Sequence, residues 1–385
     1  MVKCLLCHGD TRIVLNLGET PLANELPTGG RQERFPLCLI QCTKCKHLQI
    51  DHHVSPERMY REYVYVSDTS QANRDYFAAY AKQLTRRFEP GFVVDVGGND
   101  GLFASQFECK KLVVDPARNI PCAAPRLAEF FNEDSAQTVA KETGKADLIT
   151  ANNCFAHNAD LVPILRGVRT LLADRGVFVF EVAYALPFLQ HGLFDLIYHE
   201  HVHHWTLNAA IPFLREHGLD VFDAELVDTH GGSLRVYARH LTRGARPQSK
   251  TMPDILREEV LYLDDAVRGF HDAVTDERDA ARRAIRRLPG TVGLLGYPAK
   301  ACTLISHWGI GNDIMCVFDD NEHKIGKRSH FGHVIKPTSD IARVNPDYLF
   351  IASWNYADEL MRRFPGYKFL IPHPFRITGE ESHAA

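Results

Sequence analysis

The chain has 385 residues, of which 45% are hydrophobic and 24% are charged, a composition that excludes a wholly disordered or fibrous protein. Its length predicts two or three domains. The formal net charge of −4 gives no reason to expect nucleic acid or an anionic membrane as a partner. No apolar run approaches the roughly 20 residues that span a bilayer, and the first residues lack the apolar stretch of a signal peptide, so we expect a cytoplasmic protein.

Two C-x-x-C units stand out among the ten cysteines, and their members are Cys4, Cys7, Cys42 and Cys45. In a reducing compartment such paired units indicate metal rather than disulfides, and zinc is the usual ion of four thiolates. We therefore predict a zinc-binding module over residues 1–55, in which the metal cross-links a core too small to be stable alone. Cys38, four residues before Cys42, is an alternative ligand.

Residues 56–245 alternate short apolar runs with longer segments. The predicted strands are 92–96, 111–115, 146–150, 176–181 and 232–237. The near-continuous apolar character of the earlier runs is typical of strands buried on both faces of a parallel sheet. Helical spacing between the third and fourth strands predicts a helix over 161–172. This pattern predicts an alternating α/β domain.

Residues 246–385 begin with a charged, amphipathic segment that ends at Leu288-Pro289-Gly290 and predicts one or two surface helices forming a solvated connector. A second α/β unit follows, with predicted strands at 292–296, 314–319, 347–351 and 368–371. Both α/β units contain a strand, a glycine turn and then a strand that ends in an acid. We therefore expect two units of similar architecture in one chain.

The central glycine turn (residues 95–101) follows the first strand of the central domain. It differs from the G-x-G-x-x-G turn of dinucleotide-binding proteins and has the D-x-G-x-x-x-G form of S-adenosylmethionine-dependent methyltransferases. Its glycines allow close approach of a ligand, and its polar side chains suit an ammonium group. An acid at the end of the next strand is placed to bind ribose hydroxyls. The predicted donor-binding residues are Asp95, Gly97, Asn99, Asp100, Gly101, Asp115 and Asn152.

The densest set of titratable groups is the Y-H-E-H-V-H-H run from Tyr198 to His204. Histidine is the usual acid/base residue near neutral pH. The literal H-E-x-x-H that begins at His199 would bind zinc on a helix, as in metalloproteases, but its β-branched and aromatic flanks disfavour a helix. Asn153 and His157 follow the third strand, at the sheet edge where doubly wound folds bind ligands.

Taken together, these motifs resemble the sugar C-methyltransferases that act on nucleotide-linked 4-keto deoxysugars. The resemblance runs nearly end to end, and it rests on the two C-x-x-C units, Gly97–Gly101, Asp115–Ala117, Asn152–His157, Tyr198–His201, Gly231–Tyr237, Asp319–Asn321, Lys324, Gly326-Lys327 and Trp354–Tyr356. It implies a zinc-binding module, a central Rossmann-like methyltransferase domain that binds S-adenosylmethionine, and a C-terminal Rossmann-like domain without a methyl donor of its own.

The resemblance also implies a mechanism, in which the keto group acidifies a neighbouring sugar C–H and the resulting enolate carbon is methylated. By the family pattern His201 is the base. The residues that would orient the sugar, tune the base or hydrogen-bond the enolate oxygen are Tyr198, Glu200, Asn153 and His157. Those that the resemblance places on the substrate are Tyr63, Tyr65, His199, Lys300, Trp354 and Asn355.

The start of the C-terminal domain departs from the family pattern G-Y-G-A with a later lysine. Here the run is Gly296-Tyr297-Pro298-Ala299, and Cys302 stands where the lysine is expected. Pro298 removes a backbone N–H donor, so the sequence leaves open how the nucleotide is bound. The sugar, the nucleotide, the methylated carbon, its stereochemistry and the oligomeric state stay open as well. The alternatives are an O-methyltransferase, a zinc metalloprotease, a nicotinamide enzyme using Gly293, Gly296 and Asp319, and a non-catalytic binding protein.

Overall fold

The computed structural model describes residues 2–27, 32–68, 70–229, 231–241 and 249–378. Its N-terminal sheet consists of β1 (Thr11–Thr20), β2 (Phe35–Cys42), β3 (Leu48–Ile50) and β9 (His203–His204). The strands lie in the order β1-β2-β3-β9, and each neighbouring pair is antiparallel. The last strand is supplied by the histidine run, 153 residues after β3 in the sequence. The N-terminal module therefore shares a sheet with a segment of the central region.

The central sheet consists of β4 (Phe92–Val96), β5 (Lys110–Val114), β6 (Arg126–Leu127), β7 (Ala146–Asn152), β8 (Leu172–Ala183), β10 (Leu219–Val227) and β11 (Ser233–His240). Their order is β10-β11-β8-β7-β4-β5-β6, and the five strands from β8 to β6 are parallel. Every residue of β4 is buried, because helices cover both faces. The α/β fold expected from the apolar runs is confirmed.

The helices of this region are α1 (Pro56–Tyr60), α2 (Gln71–Phe88), α3 (Leu102–Ser105), α4 (Glu133–Thr143), α5 (Val162–Leu171), α6 (Ala185–Gln190) and α7 (Leu207–Glu216). The predicted helix over 161–172 is confirmed as α5, whose apolar face is buried. Helix α2 has 18 residues and was not predicted; it is capped by Ser70, whose side chain accepts a hydrogen bond from the Asn73 backbone. The charged surface of α2 hides a narrow apolar stripe that includes Tyr80 and Leu84.

Helix α8 (Met252–Arg287) is one continuous helix of 36 residues. Of the one or two helices predicted here, the structure has one. The prediction of a solvated connector was incomplete, because one side of the helix is buried. Residues spaced by three and four positions form a buried stripe that includes Leu263, Val267, Phe270 and Val274. This stripe packs against α6, α7 and β1, so α8 ties the central region to the N-terminal sheet.

The C-terminal sheet consists of β12 (Val292–Leu295), β13 (Ile314–Phe318), β14 (Ile335–Lys336), β15 (Tyr348–Ile351), β16 (Lys368–Pro372) and β17 (Phe375–Ile377). Its order is β14-β13-β12-β15-β16-β17, with parallel pairing except at β17. Its helices are α9 (Ala299–Trp308), α10 (Ile341–Val344) and α11 (Ala357–Arg363). The four predicted strands are all present. Across the described ranges, no helix is both long and apolar enough to cross a membrane.

Candidate active site

The four paired cysteines converge on one point of the N-terminal module. Their sulfur atoms all lie within 4.8 Å of one another. The Sγ atoms of Cys4 and Cys45 are 3.6 Å apart, and those of Cys7 and Cys42 are 3.5 Å apart. A tetrahedral zinc ion with Zn–S bonds of about 2.3 Å requires sulfur atoms about 3.8 Å apart, so the four thiols fit zinc.

The backbone around the cysteines repeats the same turn twice. His8 and Lys46, each directly after a C-x-x-C unit, have φ values of 57° and 63° in the left-handed region. Their N–H groups donate to the carbonyls of Cys4 and Cys42, at 3.0 and 3.2 Å. The alternative ligand Cys38 is buried on β2 and does not belong to the cluster. The site is therefore closed by four thiolates, as in structural zinc sites.

The central glycine turn joins β4 to α3 at the carboxyl edge of the central sheet. Gly97 and Gly101 have φ values of 68° and 76°, which side-chain-bearing residues rarely adopt. A Cβ atom on Gly97 would lie 2.5 Å from the Cβ atom of Cys154. The turn therefore requires glycine at this position, both for its backbone angle and for space.

Two of the predicted donor-binding acids, Asp95 and Asp115, are buried at this edge of the sheet. The carboxylate of Asp115 accepts from the backbone N–H groups of Asn99 and Ala117, at 2.9 and 2.8 Å. Asp95 is only 2% exposed and accepts from the Thr150 hydroxyl at 2.7 Å. Burial raises the pKa of both carboxyl groups, that of Asp95 to about 7. Asp115 directly follows β5, where an acid can reach a ribose, whereas the Asp95 carboxyl group is bonded to Thr150 of the neighbouring strand β7.

Asn99 and Asp100 bind a chain segment that precedes α2, which we call the strap (residues 61–68). The Asn99 Oδ1 atom accepts from the Ser67 backbone N–H at 3.1 Å, and the Asp100 Oδ2 atom accepts from that of Asp68 at 2.7 Å. Both predicted donor-binding side chains therefore hold the strap against the turn. The sequence offers no signal for this contact, because its partners lie about 30 residues apart in an irregular segment.

Asn152, at the end of β7, is the residue at this edge whose side chain most clearly lacks a hydrogen-bond partner among the described residues. Both its amide oxygen and its amide nitrogen are buried, and neither has a hydrogen-bond partner among the residues that the structure describes. A buried amide left unpaired costs about 1–3 kcal/mol, which a polar ligand offsets. Together with Asp115 and the glycine backbone, Asn152 fits S-adenosylmethionine, whose adenosine and methionine parts are both rich in hydrogen-bonding groups.

His201 lies in the histidine loop (residues 194–204), and its two ring nitrogens have different partners. The Nδ1 atom is 2.8 Å from the Leu196 carbonyl oxygen. Because a carbonyl only accepts, Nδ1 carries a proton, so in the neutral ring Nε2 is the acceptor atom. That atom accepts from the Tyr198 hydroxyl at 2.7 Å. In the neutral form of His201 the basic Nε2 atom therefore faces the hydroxyl group of a phenol.

His157 joins this group from the segment after β7. Its ring stacks on that of His201, with centroids 5.3 Å apart, and on that of Tyr60, with centroids 5.9 Å apart. Burial and the neighbouring His201 hold the pKa of His157 well below its ordinary value, so it is neutral. Asn153 has a φ of 52°, and its N–H donates to the Glu181 carbonyl at 2.8 Å. Sequence reasoning missed Tyr60, which lies in α1.

Glu200 is a buried carboxylate held by neutral donors. It accepts from the Tyr63 hydroxyl at 2.5 Å and from the Asn24 amide at 2.7 Å. Burial raises the pKa of Glu200, while the bonds from Tyr63 and Asn24 oppose that rise. Tyr65 packs near Tyr63, with ring centroids 6.2 Å apart. Asn24 comes from the N-terminal module, and sequence reasoning did not find it.

The predicted substrate residues of the C-terminal region form a second group beside the histidine loop. Lys300 donates to the Asn355 Oδ1 atom at 2.6 Å, and its Nζ atom lies 3.8 Å from the Trp354 ring centroid. Burial lowers the pKa of Lys300 to about 8, although nearby Asp195 opposes this. The Trp354 indole donates to Asp195 at 2.6 Å. Asp195 belongs to the histidine loop, so this group and His201 are connected.

The literal H-E-x-x-H does not form a metal site. His199 is 1% exposed, and its Nε2 atom lies 3.1 Å from the Pro36 carbonyl oxygen. His203 lies in β9, with its Nε2 atom 2.9 Å from the Asn158 carbonyl oxygen. The segment is not helical, so the two rings do not share one helical face. His199, predicted on the substrate, is occupied by the N-terminal module in this structure.

Comparison with protein-family models divides the chain into three matched segments. Residues 4–60 match the model described as "Putative zinc binding domain". Residues 69–225 match "Methyltransferase domain", and residues 228–374 match "C-methyltransferase C-terminal domain". The matched order is that of the three sheets in the structure.

Similar proteins are known for the whole chain and for about half of its length. The C-methyltransferase NovU of Streptomyces niveus is 29% identical over 409 residues, which cover 99% of this chain and 97% of that protein. Among solved structures, the PH0226 protein of Pyrococcus horikoshii is 13% identical and covers 48% of this chain and 98% of its own, with a TM-score of 0.37. The 1,6-didemethyltoxoflavin-N1-methyltransferase of Burkholderia thailandensis is 15% identical, with coverage of 52% and 98% and a TM-score of 0.34.

Proposed function

We propose that this chain, whose three segments match models of a zinc-binding domain, a methyltransferase domain and a C-methyltransferase C-terminal domain, methylates a carbon next to the keto group of a nucleotide-linked 4-keto deoxysugar. The proposal of a sugar rests on the motif resemblance, above all on the N-N-x-F-A-H and Y-H-E-H runs. When bound, S-adenosylmethionine supplies the electrophilic methyl group. The remaining chemistry falls to side chains of this chain.

The observation that carries the proposal is the placement of the two ring nitrogens of His201, with Nδ1 facing a backbone carbonyl and Nε2 facing the Tyr198 hydroxyl. The Leu196 carbonyl holds the ring proton on Nδ1, so Nε2 is the basic atom of the ring. A sugar C–H beside a keto group is acidic enough for an imidazole base, which works best when its pKa lies near the working pH. We assign His201 as the base that removes this proton and leaves an enolate.

Tyr198 can couple proton removal to stabilisation of the enolate. Burial, followed by the nearby Glu200 charge, holds the pKa of Tyr198 well above its ordinary value, so the phenol keeps its proton. Once Nε2 of His201 carries the sugar proton, it no longer accepts from the Tyr198 hydroxyl. The freed hydroxyl can then donate to the enolate oxygen as negative charge develops there.

The other predicted residues take supporting roles in this scheme. His157, which stacks on His201, and Asn153, four residues before it in the chain, orient the sugar ring, while Glu200 holds the Tyr63 hydroxyl. Lys300, with Trp354 and Asn355, supplies a cation and an aromatic face for the nucleotide diphosphate. These assignments follow from proximity and charge, and each is part of the proposal.

The test is methyl transfer from methyl-¹³C-labelled S-adenosylmethionine to a panel of nucleotide-linked 4-keto deoxysugars, with the product analysed by mass spectrometry and NMR. A labelled methyl group on a ring carbon supports the proposal, whereas a labelled methoxy group establishes O-methylation instead. In the absence of donor, the enzyme should also exchange the C–H next to the keto group for deuterium in D₂O, because the base acts before methyl transfer.

His201→Asn is the matching variant, and His191→Asn, at an exposed histidine on the surface, is its control. We expect His201→Asn to lose both exchange and transfer by about 100- to 10,000-fold, the usual contribution of general base catalysis, while donor affinity is retained. Near-normal turnover by His201→Asn with bound donor would contradict the assignment of the base.

A further inference from the structure

The N-terminal module touches the histidine loop on both sides of His201. Gln49 of β3 pairs with His203 of β9, and the Ile50 N–H donates to the Val202 carbonyl at 3.0 Å. On the other side, the His199 ring lies 3.1 Å from the carbonyl of Pro36. The loop that carries the proposed base is therefore one edge of a sheet whose other strands belong to the zinc-binding module.

A chain of hydrogen bonds inside this contact has one consistent set of protons. The His203 Nε2 atom faces the Asn158 carbonyl at 2.9 Å, so Nε2 carries the proton of that ring. The Nδ1 atom of His203 is therefore an acceptor, and it lies 2.8 Å from the His47 Nε2 atom. His47 must then be the donor. Both rings are buried, with exposures of 0% and 1%, so water does not replace these bonds.

The ends of this chain lie beside groups that matter for the reaction and for the metal. Asn158 directly follows His157, and His203 lies two residues after His201. At the other end, His47 lies two residues after the zinc ligand Cys45, and its carbonyl accepts from the Cys42 N–H at 2.8 Å. The zinc site is thus joined by short covalent and hydrogen-bonded steps to both stacked histidines.

Aromatic packing supports the same connection. The Trp205 side chain is fully buried against the rings of His47 and His203, at centroid distances of 5.1 and 5.5 Å. Its opposite contact is Phe155, which begins the short helix that ends at His157. A close-packed, hydrogen-bonded unit of this kind has little freedom to change shape.

We propose that His47 and His203 are positioning residues, which fix the relative placement of His157 and His201 and make the zinc-binding module part of the catalytic apparatus. This inference rests on the proposed function, since it assumes that His201 and His157 act in the reaction. It assigns no contact with substrate to either positioning residue. Their role is to hold two chain segments, after β7 and before β9, at one distance.

The test compares His47→Phe, which removes the donor while filling the space, with His47→Gln, which restores an N–H donor. The control is His240→Phe, which removes another hydrogen bond from a histidine to a backbone carbonyl. His240 ends β11 and contacts Leu172 at the start of β8, away from the carboxyl ends of the parallel strands. The readouts on the zinc-loaded protein are ring ¹H–¹⁵N spectra of the histidines, zinc content, affinity for S-adenosylmethionine, and kcat and KM for the sugar that is methylated.

We expect the spectra of the wild type to show His203 protonated at Nε2. His47→Phe should shift the ring signals of His157 and His201 and lower kcat by about 10- to 100-fold, the usual cost of losing a supporting hydrogen bond around a site, with zinc content and donor affinity retained. His47→Gln should recover most of the kcat, and His240→Phe should leave the ring signals of the two histidines in place.

Two results overturn the inference: a His203 ring protonated at Nδ1, or unchanged His157 and His201 signals in His47→Phe. Because the spectra need no sugar, they give an answer even if no 4-keto sugar is methylated, so failure of the proposed function is separate. Should His47→Phe fail to fold, His47→Asn, whose shorter amide cannot reach His203, takes its place with the same expected outcomes.

Discussion

The glycine turns of the central and C-terminal sheets are built on the same backbone plan. In the central turn the Gly97 N–H donates to the Val114 carbonyl, and in the C-terminal glycine turn (residues 296–299) the Gly296 N–H donates to the Phe318 carbonyl, both at 2.8 Å. Both glycines have positive φ values, 68° and 79°. The internal similarity expected from the sequence therefore extends to individual hydrogen bonds.

The acids that end the second strands repeat the plan as well. Asp115 accepts from the N–H groups of Asn99 and Ala117. Asp319 accepts from those of Tyr297 and Asn321, at 2.6 and 2.7 Å. In each unit the acid closes its turn by binding two backbone N–H groups. An acid at this position is therefore part of the turn's architecture, whether or not a ligand is bound there.

The two turns differ in what fills the space above them. The Tyr297 side chain is 2% exposed, and its hydroxyl lies 2.6 Å from the His330 Nδ1 atom. The buried Lys324 ammonium donates to the Tyr297 carbonyl at 2.8 Å. In the central turn the corresponding edge holds Asn152, whose amide is unpaired within the described chain. Backbone hydrogen bonds therefore specify this turn in both units, while a few side chains decide whether it holds a ligand.

The largest difference between the turns should come from their first glycines. A Cβ atom on Gly97 meets the Cys154 Cβ at 2.5 Å, and one on Gly296 meets the Ser353 Oγ at 2.5 Å. We expect Gly97→Ala to weaken binding of S-adenosylmethionine by about 1,000-fold, because backbone strain and overpacking each cost about 1–3 kcal/mol. Gly296→Ala should destabilise the fold similarly but keep donor affinity. Calorimetric titration measures the S-adenosylmethionine affinity of both variants. Equal losses of affinity would contradict the prediction that only the central turn binds the methyl donor.

The C-terminal unit should matter for the histidine loop rather than for the donor. His373 is buried between Asp195 and Glu277, with N–O distances of 3.2 and 3.1 Å. Burial alone lowers the pKa of His373, but the two carboxylates outweigh it and raise the pKa to about 9. We expect His373→Gln to cost about 3 kcal/mol of unfolding free energy, because it leaves a buried carboxylate unpaired.

The pH dependence gives this prediction its sign. Since the folded pKa of His373 lies above the ordinary value of 6.5, its stabilisation is complete below about pH 6.5 and is lost as the pH rises through about 9. Urea unfolding from pH 6 to 10 should therefore show the gap between wild type and His373→Gln closing at high pH. His323→Gln, at an exposed histidine, is the control. A difference in unfolding free energy between wild type and His373→Gln that grows with pH would contradict a charged His373 between the two carboxylates.

A smaller contrast is expected from the two acids. Asp115→Asn replaces one acceptor oxygen by a donor and so weakens the turn and the expected contact with ribose. We expect about a tenfold loss of S-adenosylmethionine affinity, corresponding to about 1.4 kcal/mol. Asp319→Asn should lower stability by a similar amount and leave donor affinity unchanged. If Asp319→Asn lowers the affinity for S-adenosylmethionine as much as Asp115→Asn does, the C-terminal turn also contributes to donor binding.

The smallest effect on binding of the methyl donor should come from the side chain that fills the C-terminal turn. Tyr297→Phe removes a hydroxyl that is hydrogen-bonded to both the Nδ1 atom and the backbone N–H of His330. We expect a loss of about 1–3 kcal/mol in unfolding free energy, since each of the two hydrogen bonds contributes about 0.5–1.5 kcal/mol, with no change in donor affinity. Urea unfolding measures the change in stability, and titration of the same sample with S-adenosylmethionine measures donor affinity. A second S-adenosylmethionine site in Tyr297→Phe would show that the hydroxyl keeps the C-terminal turn closed to ligand.

Much of the fold could be predicted from short stretches of sequence. The apolar runs that became β4, β7 and β8 are long and uninterrupted, and helical spacing identified α5. The two C-x-x-C units predicted the sulfur cluster, because each unit is a local turn with two ligands. The continuous length of α8 was not predictable, since its apolar stripe is narrow and its composition is mostly charged.

The candidate site was predicted by residue type but not by partnership. Tyr198 and His201 lie three residues apart and were both proposed, whereas Asn24 and His47 were not. The hydrogen bond from Asn24 to Glu200 spans 176 residues, and that between His47 and His203 spans 156. No local pattern marks such a pair. Asn99 and Asp100 were assigned to the donor from the turn motif, and the structure shows both holding the strap.

Sequence alone determined the periodicity of the elements, the two metal-binding turns and the residue types able to remove a proton, because each depends on neighbours within a few positions. Only the tertiary structure decided which ring nitrogen of His201 faces a carbonyl, which carboxylates are buried and which glycine turn lies at the sheet edge of Asn152, whose amide is unpaired within the described ranges. Those properties depend on groups brought close by packing of the whole chain, and burial strengthens every electrostatic contact that packing creates.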